Sequence, residues 1–165
     1  LKDPVIFMEH KGLYRQGYAS SLEPDSDYLL PFGKGNIITS GDELTIVSWG
    51  AMVQKTIEAI KSLGLDEGQI ELIDPRTLNP FDLDLIKSSI RKTGKVLIVH
   101  EDNITCGPGA ELSALITEQC FEFLDAPVNR IGSKNSPIPF HKILEDEILP
   151  QIDTISSKII ELLEY

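Results

Sequence analysis

The sequence is short of several things at once. Only two of its 165 residues are cysteine and only one is tryptophan. Cys106 and Cys120 are too few for a disulfide-dense secreted scaffold, and they form no metal-spaced cluster. Basic residues are also scarce: 15 Lys and Arg face 26 Asp and Glu, a formal net charge of −11. A surface that acidic repels phosphate backbones, so no nucleic-acid role is expected, whereas a cationic protein partner is compatible. Every apolar run is far shorter than a membrane span, so no membrane role is expected either. There is no basic-then-apolar leader and no internal repeat. These absences leave a soluble protein of a reducing compartment, cytoplasmic or, in a eukaryote, of the mitochondrial matrix. Leu1 rather than Met opens the chain, and the expectation is a piece of something longer.

What remains is ordinary for a packed domain: 41% hydrophobic and 25% charged residues. At this length roughly two thirds of the unfolded surface can be buried without a staple. Pro4 to Met8 (PVIFM) reads as a buried strand. From His10 to Gly41 no period of either kind is sustained, and glycines and prolines recur. A structureless stretch longer than about 12–15 residues reads as a linker. The expected organisation is residues 1–9 as the last strand of a truncated upstream domain, 10–41 as linker, and 42–165 as one domain.

Beyond Glu43 the pattern becomes regular. Leu44–Trp49 reads as a strand. Residues 51–63 then place Val53, Ile57, Ile60 and Leu63 on one helical stripe, with Gly64 as a stop. Gln69–Ile73 reads as a second strand, and Asp82 caps a helix running to about Lys92 with Leu83, Ile86 and Ile90 inward. Val96–Val99 is a third, wholly apolar strand, as expected when both sheet faces are covered. A helix over 111–121 with Leu112, Leu115 and Ile116 inward, a strand over 128–131, and helices over 141–148 and 151–164 complete the series. Strand–helix alternation of this kind predicts an α/β open sandwich: a mostly parallel sheet with helices on both faces.

In such sheets ligands gather beyond the carboxyl ends of the strands. Trp49-Gly50-Ala51, Asp74-Pro75-Arg76 and His100-Glu101-Asp102 fall there. His100 and Glu101 are one candidate site, because histidine titrates near neutrality and a carboxylate can orient it. The alternative is a strand-end histidine satisfied by backbone beside a solvated acid, since successive strand residues point to opposite faces. Cys106-Gly107-Pro108-Gly109 invites a phosphate-loop reading, but Leu112 holds the third glycine's place. A tight turn that lets the helix pack closely on the sheet is the simpler account. At the tail, Glu161, Glu164 and the carboxylate of Tyr165 crowd a helix end where the macrodipole disfavours anions. That conflict points either to a basic partner docking there or to a frayed, solvated terminus.

Several segments together resemble one family. They are Glu9-His10-Lys11-Gly12-Leu13-Tyr14-Arg15, Leu44 to Val53, Ile73 to Asp82, Val99-His100-Glu101, and Leu124-Asp125-Ala126-Pro127-Val128. In this order they are similar to the beta subunit, or fused single-chain form, of thiamine-dependent 2-oxo acid dehydrogenase decarboxylating components of pyruvate or branched-chain type. The resemblance implies a transketolase C-terminal-like domain, preceded over residues 1–9 by the last strand of a truncated pyrimidine-binding domain. It places thiamine diphosphate and magnesium in other domains, so no catalytic, cofactor-binding or metal residue is carried over. It assigns dimer contact and docking to this domain, with the alpha subunit or a fused N-terminal half alongside. The subunit-binding domain of the dihydrolipoyl acyltransferase is the docked partner, held at the positions of Asp125 and the Tyr165 carboxylate. Asn135-Ser136-Pro137 departs from the acid-Thr-Pro common in relatives. Two other readings stay open: the terminal domain of another transketolase-like enzyme, and a non-enzymatic acidic interaction module.

Overall fold

Leu44–Ser48 has no polar face, and it forms the central strand of the sheet with all five residues buried. The computed structural model describes residues 4–165. Its strands are β1 (Asn36–Thr39), β2 (Leu44–Ser48), β3 (Ile70–Asp74), β4 (Val96–Asn103) and β5 (Asn129–Ser133). They form one five-stranded sheet in the order β1-β3-β2-β4-β5. β2 runs parallel to β3 and β4, and β4 parallel to β5; β1 alone is antiparallel, on β3.

The helices are α1 (Ala51–Leu63), α2 (Leu83–Thr93), α3 (Pro108–Cys120), α4 (Lys142–Ile148) and α5 (Ile152–Leu163). Alternation along the strands sorts the core into two halves. Leu44, Ile46, Leu72, Leu97 and Val99 face α1 and α5, where Met52, Ala59, Ile155, Ile159 and Leu162 meet them. Val47, Val96 and Ile98 face α2 and α3, against Ile86, Ile90, Leu112, Ile116 and Cys120. The expected stripe of α1 is displaced: Met52, Thr56 and Ala59 are the fully buried line. Val53, Ile57, Ile60 and Leu63 pack along its flanks. The one polar side chain that β2 sends toward α2, Thr45, is satisfied by Ser89 at 2.6 Å and Thr93 at 2.7 Å. A buried hydroxyl without such partners would cost about 1–3 kcal/mol.

Caps follow the sequence reading. Asp82 accepts from Leu85 N at 3.3 Å at the start of α2, and Gly94 closes that helix in the left-handed region at φ 68°. His141, solitary in the sequence, caps α4 by accepting from Ile143 N at 3.3 Å.

Residues 4–8 pair with no strand among the described residues, and Ile6, Phe7 and Met8 are exposed. A strand exists only through a neighbour that takes its backbone hydrogen bonds, and none of the described residues supplies one. Residues 1–3 of the same segment lie outside the described residues. The stretch read as linker over 10–41 ends in β1, so the sheet begins before residue 42. β1 is tied in by side chains as well as backbone. Thr39 Oγ1 donates to Ile70 O at 3.0 Å, and just upstream Gly35 N donates to Asp82 Oδ2 at 3.0 Å. The register of β1 on β3 slips between Ile37 and Thr39.

Candidate functional site

Two places carry the candidate residues, one at each end of the strands. The first is the carboxyl end, at the point between β2 and β4 where the winding of the chain reverses. There the crevice expected of a doubly wound sheet is filled by side chains. Trp49, just past β2, stacks on His100 of β4 with ring centroids 5.3 Å apart and 3° between planes. Phe81 leans on Trp49 at 6.2 Å. His100 is fully buried, and neither of its ring nitrogens has a hydrogen-bond partner.

Beside the ring runs the first turn of α3, which begins at Pro108, earlier than the pattern over 111–121 implied. A side chain at Gly109 would overlap the imidazole, since an added Cβ would lie 2.5 Å from His100 Cδ2. A Cβ at Gly132 on β5 would come within 3.0 Å of His100 Cε1. The glycines after Cys106 therefore serve close packing of helix on sheet. Burial pushes the His100 imidazole below its ordinary pKa; the Asp102 carboxylate opposes this and the Arg130 guanidinium adds to it. The ring is enclosed by packed side chains, away from solvent.

β4 continues to Asn103, so His100 and Glu101 point to opposite faces, as strand geometry requires. Glu101 meets His10 instead, with Nε2 to Oε1 at 3.1 Å, across 91 residues of sequence. The structure thus separates the two members of the candidate strand-end pair. Nothing in the spacing of His10 and Glu101 announces their contact, which only the folded course of the N-terminal segment creates. Close by, the departing residue Asn135 makes a two-way amide contact with Thr105. Its Nδ2 donates to Thr105 Oγ1 at 2.8 Å, and its Oδ1 accepts from Thr105 N at 3.2 Å. A carboxylate there could only accept.

The second place is at the opposite end of the strands, where α2 turns into β4. Asp125 lies past the short 3-10 turn Phe121–Phe123 and is exposed. Its backbone N–H donates to Gly94 O at 2.8 Å, and its side chain lies over Gly94, where an added Cβ would sit 2.8 Å from Cγ. The next residue, Lys95, sends its Nζ to Leu163 O at 3.2 Å, in the last turn of α5. Gly94 and Lys95 are adjacent, so Asp125 and the helix that ends one residue before Glu164-Tyr165 are fastened to the same dipeptide. Among the described residues Asp125, Glu164 and Tyr165 enter no ion pair. Glu161, by contrast, is matched by Lys158 at 2.6 Å, which relieves part of the charge conflict at the helix end. Sequence reasoning singled out Asp125 and Tyr165 and missed Lys95. One lysine before an apolar strand carries no signal of its own.

Comparisons with known proteins agree with this architecture. Residues 33–155 match the family model described as transketolase, C-terminal domain. The chain is 39% identical to the pyruvate dehydrogenase E1 component subunit beta of Cyanidium caldarium, covering 99% of this chain and 49% of that protein. It is 38% identical to the mitochondrial 2-oxoisovalerate dehydrogenase subunit beta of Dictyostelium discoideum, covering 96% and 43%. It is 37% identical to the acetoin:2,6-dichlorophenolindophenol oxidoreductase subunit beta of Bacillus subtilis (strain 168), covering 98% and 46%. The chain thus spans just under half the length of these curated relatives. Among solved structures, a split gene transketolase described as an inactive beta4 tetramer superposes with a TM-score of 0.69 at 24% identity, over 85% of this chain and 44% of that one. That likeness shows the fold alone.

Proposed function

The chain belongs to the transketolase C-terminal domain family, and from that premise we propose that it is the carboxyl-terminal domain of a 2-oxo acid dehydrogenase decarboxylating component. The parent is a beta subunit or its fused single-chain form. The whole enzyme decarboxylates a 2-oxo acid oxidatively and passes the acyl group to a lipoyl disulfide, in the cytoplasm or the mitochondrial matrix. In this reading the domain itself makes no bonds. It associates with a second copy and with the alpha subunit or fused N-terminal half, and it docks the subunit-binding domain of the dihydrolipoyl acyltransferase. Residues 1–9 belong to a preceding domain that completes the thiamine site.

The observation that supports the reading is the pair of links through Gly94 and Lys95, which fastens the Asp125 loop and the last turn of α5 to one dipeptide. Opposite charge at such a surface steers and orients a basic partner, and partly desolvated arginine–carboxylate contacts are costly to break.

Thiamine diphosphate with magnesium is the cofactor the whole enzyme requires, and the residues described here do not fit it. No group of three His, Cys, Asp or Glu side chains converges to hold a metal among the described residues. The crevice where a diphosphate would be cradled is occupied by Trp49 and His100. No step of the reaction is therefore assigned to this chain.

The test is Asp125→Lys, titrated by calorimetry against the subunit-binding domain of a dihydrolipoyl acyltransferase. Binding is expected to weaken by tenfold or more, the scale of one charged contact turned repulsive. Unchanged affinity removes the docking role.

A further inference from the structure

We propose that Gly94 and Lys95 are positioning residues that hold the two halves of the acidic surface in register, an inference that rests on the docking reading above. One half is the loop carrying Asp125; the other is the end of α5 with Glu164 and Tyr165. They come from segments about forty residues apart in the chain; Glu164 N–H donates to Ile160 O at 3.0 Å within α5, and the links through Gly94 and Lys95 are what tie that helix end to the Asp125 loop.

Gly94 acts on the first half. It sits in the left-handed region at φ 68°, where it ends α2 and turns its carbonyl toward Asp125 N. Its missing side chain leaves the room that the Asp125 carboxyl group occupies. The same end of α2 braces the preceding turn, because the Arg91 guanidinium lies 5.0 Å above the Phe123 ring.

Lys95 acts on the second half. The last four carbonyls of a helix have no partner within it, and the Lys95 ammonium supplies one to Leu163 O at 3.2 Å. A cation there also suits the negative end of the helix dipole, where Glu164 does not. The lysine therefore fixes the turn from which Glu164 and Tyr165 emerge, and it does so from the residue next to Asp125's own anchor.

The charge of Lys95 makes the idea separable from simple electrostatics. It is a cation beside an acidic surface. Removing it makes that surface more negative, which by charge alone strengthens attraction for a basic domain. If its work is positional, removing it weakens binding instead.

The experiment titrates the chain with the subunit-binding domain of a dihydrolipoyl acyltransferase, with melting temperature measured in parallel. Lys95→Gln is expected to bind roughly two- to tenfold more weakly, the ordering cost of one or two released side chains. Lys95→Arg, which keeps a cationic donor, is expected to restore wild-type affinity. In a chain lacking Tyr165, Lys95→Gln is expected to add little further loss. Equal or tighter binding by Lys95→Gln, with Asp125→Lys still weakened, overturns the positional role and leaves docking standing. No effect of Asp125→Lys overturns docking and this inference with it.

Discussion

Trp49 lies parallel to His100, 3° between ring planes and 5.3 Å between centroids, at the point where the sheet's winding reverses. Both side chains leave from the carboxyl ends of neighbouring strands. In an open α/β sheet that place is the usual ligand crevice. Here an indole and an imidazole close it, and the first turn of α3 seals the remaining side. The arrangement makes His100 a core residue with a titratable ring.

The pH dependence of folding follows from that burial. Desolvation lowers the folded-state pKa of His100 below its ordinary value. The unfolded chain therefore binds a proton that the folded chain refuses. Between the lowered pKa and about 6.5, stability rises with pH; above that range the full contribution is present. The melting temperature is expected to fall as pH is lowered from about 7.5 to about 5.5, and a His100→Asn variant is expected to fall less steeply over the same interval. Parallel profiles for the two proteins would sink the assignment.

Gly109→Ala sets two effects against each other. Alanine is the better helix former by about 1 kcal/mol. The added methyl, however, falls on the His100 ring, which is held between Trp49 and the backbone of Gly132. Overpacking of a fixed ring costs about 1–3 kcal/mol, so the clash wins. The denaturation midpoint is expected to drop. A midpoint that rises would mean that the ring moves aside freely and that the packing argument fails.

Thiamine diphosphate with magnesium gives a third measurement. A ligand stabilises only the state it binds, by an amount that grows with its concentration over Kd. With Trp49 and His100 filling the crevice, the melting temperature of this chain is expected to stay where it is when both are added. A clear, concentration-dependent rise would put cofactor contacts back into this domain.

Much of the fold was legible because two inner strands have no polar face. Leu44–Ser48 and Val96–Val99 announce burial on both sides, and the stops at Gly64 and Gly94 are local chemistry. β1 was not legible. Four residues, Asn36–Thr39, stand among glycines and show no alternation, and their strand state comes from pairing with β3 alone. Pro4–Met8 has the composition of a strand but no partner among the described residues, because composition supplies no neighbour. Asp125 and Tyr165 could be nominated as docking positions through a family likeness and a charge conflict. Their common anchor could not, because Lys95 meets Leu163 across 68 residues and only the folded chain brings them together.

The slipped register of β1 has a consequence for solubility. An edge strand offers unpaired amides and carbonyls to any other chain, and regular, flat edges invite runaway polymerisation. The irregularity between Ile37 and Thr39 bends that rim, so an incoming strand finds no straight template to copy. The bend thereby works against sideways growth of the sheet into fibres.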